Sequence, residues 1–333
     1  MERMSGFAVR RPRAAIIANS AKIDIEALKR EVRRQELAHG WDFSLWFETS
    51  LAESGESQAR AAAAAGVSLV VAVGGDGTVR AVSDALTGLR MTLAIVPAGT
   101  GNLLARNLGI PLGDPATALS IAFSGRSRRI DVGRLALTRQ DGTVGQHSFL
   151  VIAGMGLDAK MIETTKPELK RRVGWLAYVE AIVRILAKPT TLNTRYSIDG
   201  SPEKTATINT LLIGNCGTVQ GHFRLLPDAQ LDDGRLDYVA LRSLDNRDQS
   251  AVARWLWWEN TWWRRGRRAR GVRSTMRDTD SFRYGQASRL QVWLEHPERF
   301  EVDGDDVGDV TGVEAWVDAG ALSVRIDKLP RRN

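Results

Sequence analysis

Short apolar runs alternate with charged, helix-periodic stretches through the first third of the chain. Ala14–Ala18 reads as an apolar strand, and Ile23–Leu37 has helical periodicity with many charges. Phe43–Phe47 follows as a strand and Ser57–Ala65 as an alanine-rich helix. Ser68–Val73 has the apolar pattern of a strand buried on both faces of a parallel sheet. A helix from about Thr78 to Leu86, the strand Thr92–Val96 and a helix around Leu103–Leu108 complete the series. Such alternation predicts an α/β sheet with helices on both faces, and sheets of this kind bind ligands beyond the carboxyl ends of their strands.

The pattern changes after about Ile130, where helical periodicity gives way to short strands. Phe149–Ala153, Thr207–Ile213, Arg235–Leu241, Leu290–Leu294 and Leu322–Ile326 are examples, and Asp199-Gly200 and Asp303-Gly304 mark turns between some of them. One helix interrupts this region, Trp175–Leu186, ended by Pro189.

With 333 residues, 43% of them hydrophobic, the chain can build two packed domains. Its net charge of +7 favours polyanions: nucleic acid, nucleotides or an anionic bilayer. Charge alone does not choose among them. A single cysteine, Cys216, excludes an intrachain disulfide, and its apolar neighbours Leu211, Leu212 and Ile213 make it a buried structural thiol. One cysteine and four scattered histidines supply no zinc-ligand spacing. The basic start, Met1 to Arg13, is followed by an apolar stretch too short for a secretory signal. No segment approaches the roughly 20 apolar residues that span a bilayer. The expected location is therefore the cytoplasm, with any lipid met from the water side as a peripheral membrane protein.

Two glycine-rich loops fall at the ends of successive strands. Gly74-Gly75-Asp76-Gly77-Thr78 follows Ser68–Val73, and Pro97-Ala98-Gly99-Thr100-Gly101-Asn102 follows Thr92–Val96. Glycine allows a sharp turn and close approach of backbone to ligand, and the helix that starts next aims free N–H groups and its positive dipole end at the same point. Both features suit phosphate, with Thr100 and Asn102 as neutral donors. Asp76 beside a phosphate is repulsive unless a metal lies between them or it takes a proton. The alternative is a pair of plain strand-to-helix turns with Asp76 as an N-cap. Neither loop is a Walker A sequence or Gly-x-Gly-x-x-Gly, which argues against a dinucleotide oxidoreductase.

The pair of motifs at this spacing resembles the diacylglycerol kinase catalytic-domain family, which includes soluble bacterial diacylglycerol kinases, sphingosine kinases and ceramide kinases. The first motif alone is shared with NAD kinases and phosphofructokinases. Gly154-Met155-Gly156-Leu157-Asp158-Ala159, Gly214-Asn215, the run Pro227 to Asp237 and Val302-Asp303-Gly304-Asp305 extend the resemblance in order over nearly the whole chain. It implies a Rossmann-like α/β nucleotide-binding domain of NAD-kinase and diacylglycerol-kinase type over residues 1–129, with a return segment at about 313–333. A β-sandwich lipid-substrate domain would occupy 130–312. The implied activity is Mg²⁺-dependent transfer from ATP to a lipid hydroxyl, that of diacylglycerol first and of ceramide or a sphingoid base as the alternative.

The same resemblance places Asn19, Thr49, Gly74, Gly75, Asp76, Gly77, Thr78, Gly99, Thr100 and Asn102 around ATP. It makes Asp305 the general base and gives Asp76 a catalytic part. Asp305 departs from the family's glutamate by one methylene, a reach deficit of about 1.5 Å, and a β-turn carboxylate is its structural alternative. Leu103 stands where many relatives carry aspartate. The turn Gln230 to Leu236 resembles a structural Mg²⁺ loop, with the Asp233 carboxylate and the Gln230 and Arg235 carbonyls as ligands. A plain Asp-Gly hairpin turn is the other reading. Asp158 is a candidate headgroup contact.

Five tryptophans crowd into nine residues, among them Trp255, Trp258 and Trp262 on one helical face, and six arginines from Arg264 and Arg265 to Arg273 follow. Tryptophan beside arginine suits an anionic membrane interface. A buried tryptophan cluster with a solvated basic flank is the alternative, and no nucleic-acid module accompanies the segment, so no nucleic-acid partner is expected. A homodimer is compatible with the sequence but not specified by it. Two rivals stand beside the lipid kinase: an NAD kinase-like enzyme and a non-catalytic lipid- or nucleotide-binding protein.

Overall fold

The computed structural model describes residues 11–20, 23–50, 53–156, 191–219, 223–242, 278–279 and 282–328. The expected helix Trp175–Leu186, Asp158 and the Trp255–Arg265 segment lie outside these residues. The chain divides into two compact units. The first runs to Arg129 and resumes at Leu322; the second is Ile130–Ala321.

In the first unit, β1 (Ala14–Ala18), β2 (Leu45–Glu48), β3 (Leu69–Gly74) and β4 (Thr92–Pro97) form a parallel sheet in the order β4-β3-β1-β2. Ser323 and Val324 of the returning chain pair in parallel with Thr92 and Leu93 on the β4 side. Every residue of β1 and β3 is buried, as their unbroken apolar runs require. Helices α1 (Ile25–His39), α2 (Glu56–Ala64) and α3 (Asp76–Leu86) connect these strands. The step from β1 to β2 goes one way across the sheet, and the steps to β3 and β4 go the other way. Right-handed crossovers then put α1 on one face and α2 and α3 on the opposite face. The packing agrees, because α1 rests against α5 (Pro115–Ser124) and α2 against α3. The reversal of direction lies between β1 and β3, the topological switch point of such a sheet.

Helix α5 was not expected from periodicity, since five of its ten residues are buried apolar side chains. It is nevertheless capped in an ordinary way: Pro115 opens it, and the Asp114 side chain accepts from Thr117 N at 3.0 Å. Arg325 on the returning strand donates to the carbonyls of Ala122 and Gly125 at 3.2 Å, tying the end of α5 to that strand.

The second unit is β-rich and largely antiparallel. It comprises β5 (Arg126–Thr138, from Ile130), β6 (Val144–Phe149), β7 (Ile152–Met155), β8 (Leu192–Ile198), β9 (Lys204–Ile208) and β10 (Thr210–Gly214). The short β11 (Thr218–Val219) and β12 (Phe223–Arg224) pair with each other. Then come β13 (Leu236–Leu241), β14 (Asp278–Thr279), β15 (Phe282–Ala287), β16 (Arg289–Val302) and β17 (Asp305–Ile326, to Ala321). Strands run β14-β15-β13-β10-β7-β16-β17, with β8 and β9 joined through β16 and β5 and β6 joined through β17. Phe149, Met155, Ile213, Leu236, Phe300 and Val310 lie in the core between them.

Several strands differ from their sequence pattern for identifiable reasons. The expected strand Phe149–Ala153 breaks at Leu150-Val151, whose amides bond to the Asp303 carboxylate instead of to a ladder. Thr207–Ile213 breaks at Asn209, where the chain changes partner: Ile208 pairs with Leu192 and Thr210 with Leu241. β16 extends far beyond Leu290–Leu294, but its register shifts between Trp293 and Glu298 around Pro297, which has no N–H to give.

Candidate functional site

The two glycine loops of the first unit touch. A Cβ at Gly99 would stand 2.6 Å from Gly75 Cα, so only glycine permits this approach of backbone to backbone. A Cβ at Gly74 would stand 2.7 Å from Thr78 Cβ and Oγ1. At both positions the glycine is required by packing inside the site rather than by a positive φ. Ala98 N donates to Gly74 O at 2.9 Å, which carries the β3–β4 ladder into the loops.

Asp76 locks the pair. Its Oδ2 accepts from Asn102 N at 2.8 Å and its Oδ1 from Leu103 N at 2.6 Å. Asp76 is thus not the cap of its own helix, a position held by Gly75. It instead receives the first amides of the short helix α4 (Leu103–Asn107). Burial pushes the Asp76 carboxyl above its ordinary pKa, against the pull of the two amides and of the Arg106 charge.

Asn102 is also turned onto its own loop. Its backbone is left-handed at φ 48°, a region asparagine tolerates. Its Oδ1 accepts from Gly99 N at 3.1 Å, and its Nδ2 donates to Gly99 O at 2.7 Å. The side-chain amide holds the loop's shape with its oxygen and one of its two N–H groups. Thr100, at the tip, is exposed.

No side chain caps the N-terminus of α3. Its first-turn amides, including those of Gly77 and Thr78, have no partner within the helix and open an anion-binding position. Gly77 is exposed, and a methyl group added to it would meet no atom within 4 Å, whereas Thr78 is buried beneath Gly74.

Asn19 follows β1 at the switch point, and its amide donates to Val73 O at 3.2 Å. Thr49 follows β2; its amide donates to Ala18 O at 3.0 Å, while its buried hydroxyl has no hydrogen-bond partner. The structure therefore brings the expected nucleotide residues of the first unit to the carboxyl ends of β1 to β4. It assigns Asp76 and Asn102 to the framework of the loops.

The other expected residues lie in the second unit. Asp305 is exposed and opens β17 opposite Val302, next to a turn at Asp303-Gly304 with φ values of 51° and 89°. The Gln230 to Leu236 turn contains Gly234 at φ 70° and an Asp233 Oδ1 that accepts from Arg235 N at 3.1 Å. The turn closes no hairpin: β13 pairs with β10 and β15, and Asp233 lacks the positive φ of a hairpin Asp-Gly turn.

The same turn holds concentrated negative charge. Asp131 accepts from Gly234 N and Gly320 N, each at 2.7 Å. Asp233 is pushed up in pKa by burial and by the Asp131 charge. Deeper in, Asp237 is pushed up to about 7 by burial, with the charges of Asp233 and Asp228 adding and the hydrogen bonds from Tyr284 and Gln286 opposing. Among the described residues no three acidic, histidine or cysteine groups converge as metal ligands. One half-buried carboxylate with neighbouring carbonyls nevertheless fits Mg²⁺, which keeps several of its waters.

Sequence reasoning missed two carboxylates. Asp131 carried no signal beyond a lone acid in a strand. Asp303 sits in the Val302–Asp305 motif, but its role depends on Leu150 to Ile152, about 150 residues earlier.

The profile of the diacylglycerol kinase catalytic domain matches residues 13–135. That of the YegS C-terminal NAD kinase beta sandwich-like domain matches residues 151–254. A probable lipid kinase YegS-like of Pseudomonas fluorescens is 33% identical over 225 residues, 65% of this chain and 70% of that protein. A diacylglycerol kinase of Mycobacterium tuberculosis is 32% identical over 183 residues, 55% of this chain. The match spans 58% of that relative's length. Among solved structures, a putative diacylglycerol kinase from Bacillus anthracis superposes with a TM-score of 0.68 at 19% identity, over 98% of this chain and 99% of that one. A yeast NADH kinase superposes with a TM-score of 0.52 at 10% identity, over 97% and 82%. The fold is thus an N-terminal α/β domain followed by a C-terminal β-sandwich.

Proposed function

Because the chain belongs to the diacylglycerol kinase catalytic-domain family, we propose that it transfers the γ-phosphoryl group of ATP to a lipid hydroxyl, with diacylglycerol as the acceptor. One observation carries the reading: two glycine loops held together by Asp76, beside an uncapped helix N-terminus at a topological switch point. Phosphoryl transfer needs alignment and charge neutralisation more than covalent chemistry from the protein. The amides of α3 and of the Gly99-Thr100 turn would bind the phosphates. Asn19 and Thr49 would bound the nucleotide at the neighbouring strand ends. Mg²⁺ on the phosphates would supply charge neutralisation. Asp76, the carboxylate between the two loops, would be the residue of the first unit that faces it.

In the transfer step the lipid hydroxyl oxygen attacks the γ-phosphorus, the bond to the β,γ-bridging oxygen breaks, and ADP leaves. Asp305 takes the hydroxyl proton. Replacing it with alanine lowers turnover by about 10²–10⁴-fold, the contribution of a positioned base, while ATP affinity is kept.

Among the described residues no helix is long and apolar enough to cross a membrane. The encounter with lipid is assigned to the Trp255, Trp258, Trp262, Arg264 and Arg265 segment on its composition. The test offers γ-labelled ATP and Mg²⁺ to the protein with diacylglycerol, ceramide or NAD as separate acceptors. Organic-soluble label from diacylglycerol supports the reading. Label confined to NADP, or no transfer at all, overturns it.

A further inference from the structure

The Asp303 carboxylate is held by three consecutive backbone amides. Its Oδ2 accepts from Leu150 N at 2.9 Å, and its Oδ1 from Val151 N at 2.9 Å and Ile152 N at 3.0 Å. Asp303 N donates in return to Ile152 O at 2.8 Å. Three successive N–H groups converging on one point form a concavity for an anion, and here the anion is a side chain of the protein itself.

The seat is rigid from its other side as well. Leu150 and Val151 are buried. Val151 O accepts from Asn215 N at 2.9 Å and Cys216 N at 3.2 Å. Leu150 O accepts from Asn215 Nδ2 and from Cys216 Sγ, both at 3.2 Å. The segment joining β6 to β7 has given up strand pairing to become a socket, and the Gly214-Asn215-Cys216 run backs it.

What the socket grips is the tip of the β16–β17 hairpin. Asp303 and Gly304 form its two-residue turn, both with positive φ, and Val302 pairs with Asp305 across it. Asp305 is exposed at the first position after the turn. An aspartate has two side-chain torsions and little reach, so the place of its carboxylate is set by the place of the hairpin backbone. That place is fixed by Asp303.

We propose that Asp303 is the positioning residue for Asp305, seating the hairpin so that a base one methylene shorter than glutamate meets the acceptor hydroxyl. The proposal rests on the reading of Asp305 as the base.

The test compares Asp303→Asn, Asp303→Glu, Asp305→Ala and the double variant Asp303→Asn/Asp305→Ala in the full chain, measuring kcat, KM for ATP and the unfolding midpoint. Asp303→Glu keeps a carboxylate for the three amides but inserts about 1.5 Å between socket and turn. It is expected to stay folded and to lose about 10²-fold in kcat, the cost of a misplacement of about 1 Å, with KM for ATP within about 2-fold. Asp303→Asn is expected to lower kcat likewise, and to cost no further turnover once Asp305 is alanine, because the two act as one unit.

A merely structural carboxylate would move the unfolding midpoint and leave the kcat of the folded protein unchanged. Wild-type kcat in Asp303→Glu overturns the proposal, as does an equal loss from Asp303→Asn in both backgrounds. Wild-type turnover in Asp305→Ala overturns the base assignment and this proposal together. An inactive Asp305→Ala beside a fully active Asp303→Glu overturns the role of Asp303 alone.

Discussion

Gly99→Ala probes the contact between the two loops with a single methyl group. The added carbon would stand 2.6 Å from Gly75 Cα, 3.1 Å from Asn102 Oδ1 and 3.5 Å from Gly75 N. Carbon atoms pack at about 3.5–4.0 Å, so the loops must part by about 1 Å. Neither side yields readily. Gly75 lies between β3 and α3, and Gly99 is held by both ends of the Asn102 side-chain amide. Overpacking of this kind costs about 1–3 kcal/mol of stability. If both loops bind one triphosphate, parting them also removes the amides of one loop from the phosphates. Misplacement by about 1 Å can cost about 10²-fold in rate.

Equilibrium unfolding and calorimetric titration with Mg²⁺-ATP measure the two effects separately. Gly77→Ala is the control for the clash: it meets no atom within 4 Å, so the fold is kept. A Gly99→Ala protein that binds ATP within about 2-fold of wild type, after losing about 1–3 kcal/mol of stability, would refute joint binding by the two loops.

Three further outcomes follow from the same geometry. Asp76→Asn replaces one of two amide-bonded oxygens with a donor that faces an N–H, and is expected to lower stability without nucleotide by about 2–4 kcal/mol; an unchanged denaturation midpoint would show that Asp76 does not clamp the loops. Mg²⁺ without nucleotide is expected to raise the unfolding temperature of wild type and not of Asp233→Asn, and an equal rise in both would remove the turn as a metal site. Asp237 binds its proton more tightly when folded, up to about 7 against 3.8, so its contribution to stability is greatest below pH 3.8 and is lost as pH rises to about 7. With metal chelated, wild type should lose up to about 4 kcal/mol across that window relative to Asp237→Asn, and parallel stability curves would contradict this.

Local pattern carried much of the first unit. The unbroken apolar runs at β1 and β3 could be read because strands buried on both faces need no alternation. The glycine loops could be read because two of them end neighbouring strands. Helix α5 was missed, although Asp114 and Pro115 are a cap and a first-turn proline. Its buried apolar residues leave little amphipathic period, and only the capping signal marked it.

The joining of the loops was not legible. Asp76 reaches amides 26 and 27 residues away, and Gly99 is glycine because of Gly75, a packing fact with no sequence pattern. Asp303 and its socket are likewise non-local. The length of β16 was hidden by Pro297, since a bulge breaks the alternation by which a strand is read.

A crystal structure with a non-hydrolysable ATP analogue and Mg²⁺ tests the central claim most directly. The account predicts phosphate oxygens within hydrogen-bond distance of the amides at the start of α3 and of the Gly99-Thr100 turn, with Asp76 still bonded to Asn102 and Leu103. Nucleotide bound elsewhere, or held by one loop while the other stands clear of the phosphates, would contradict it.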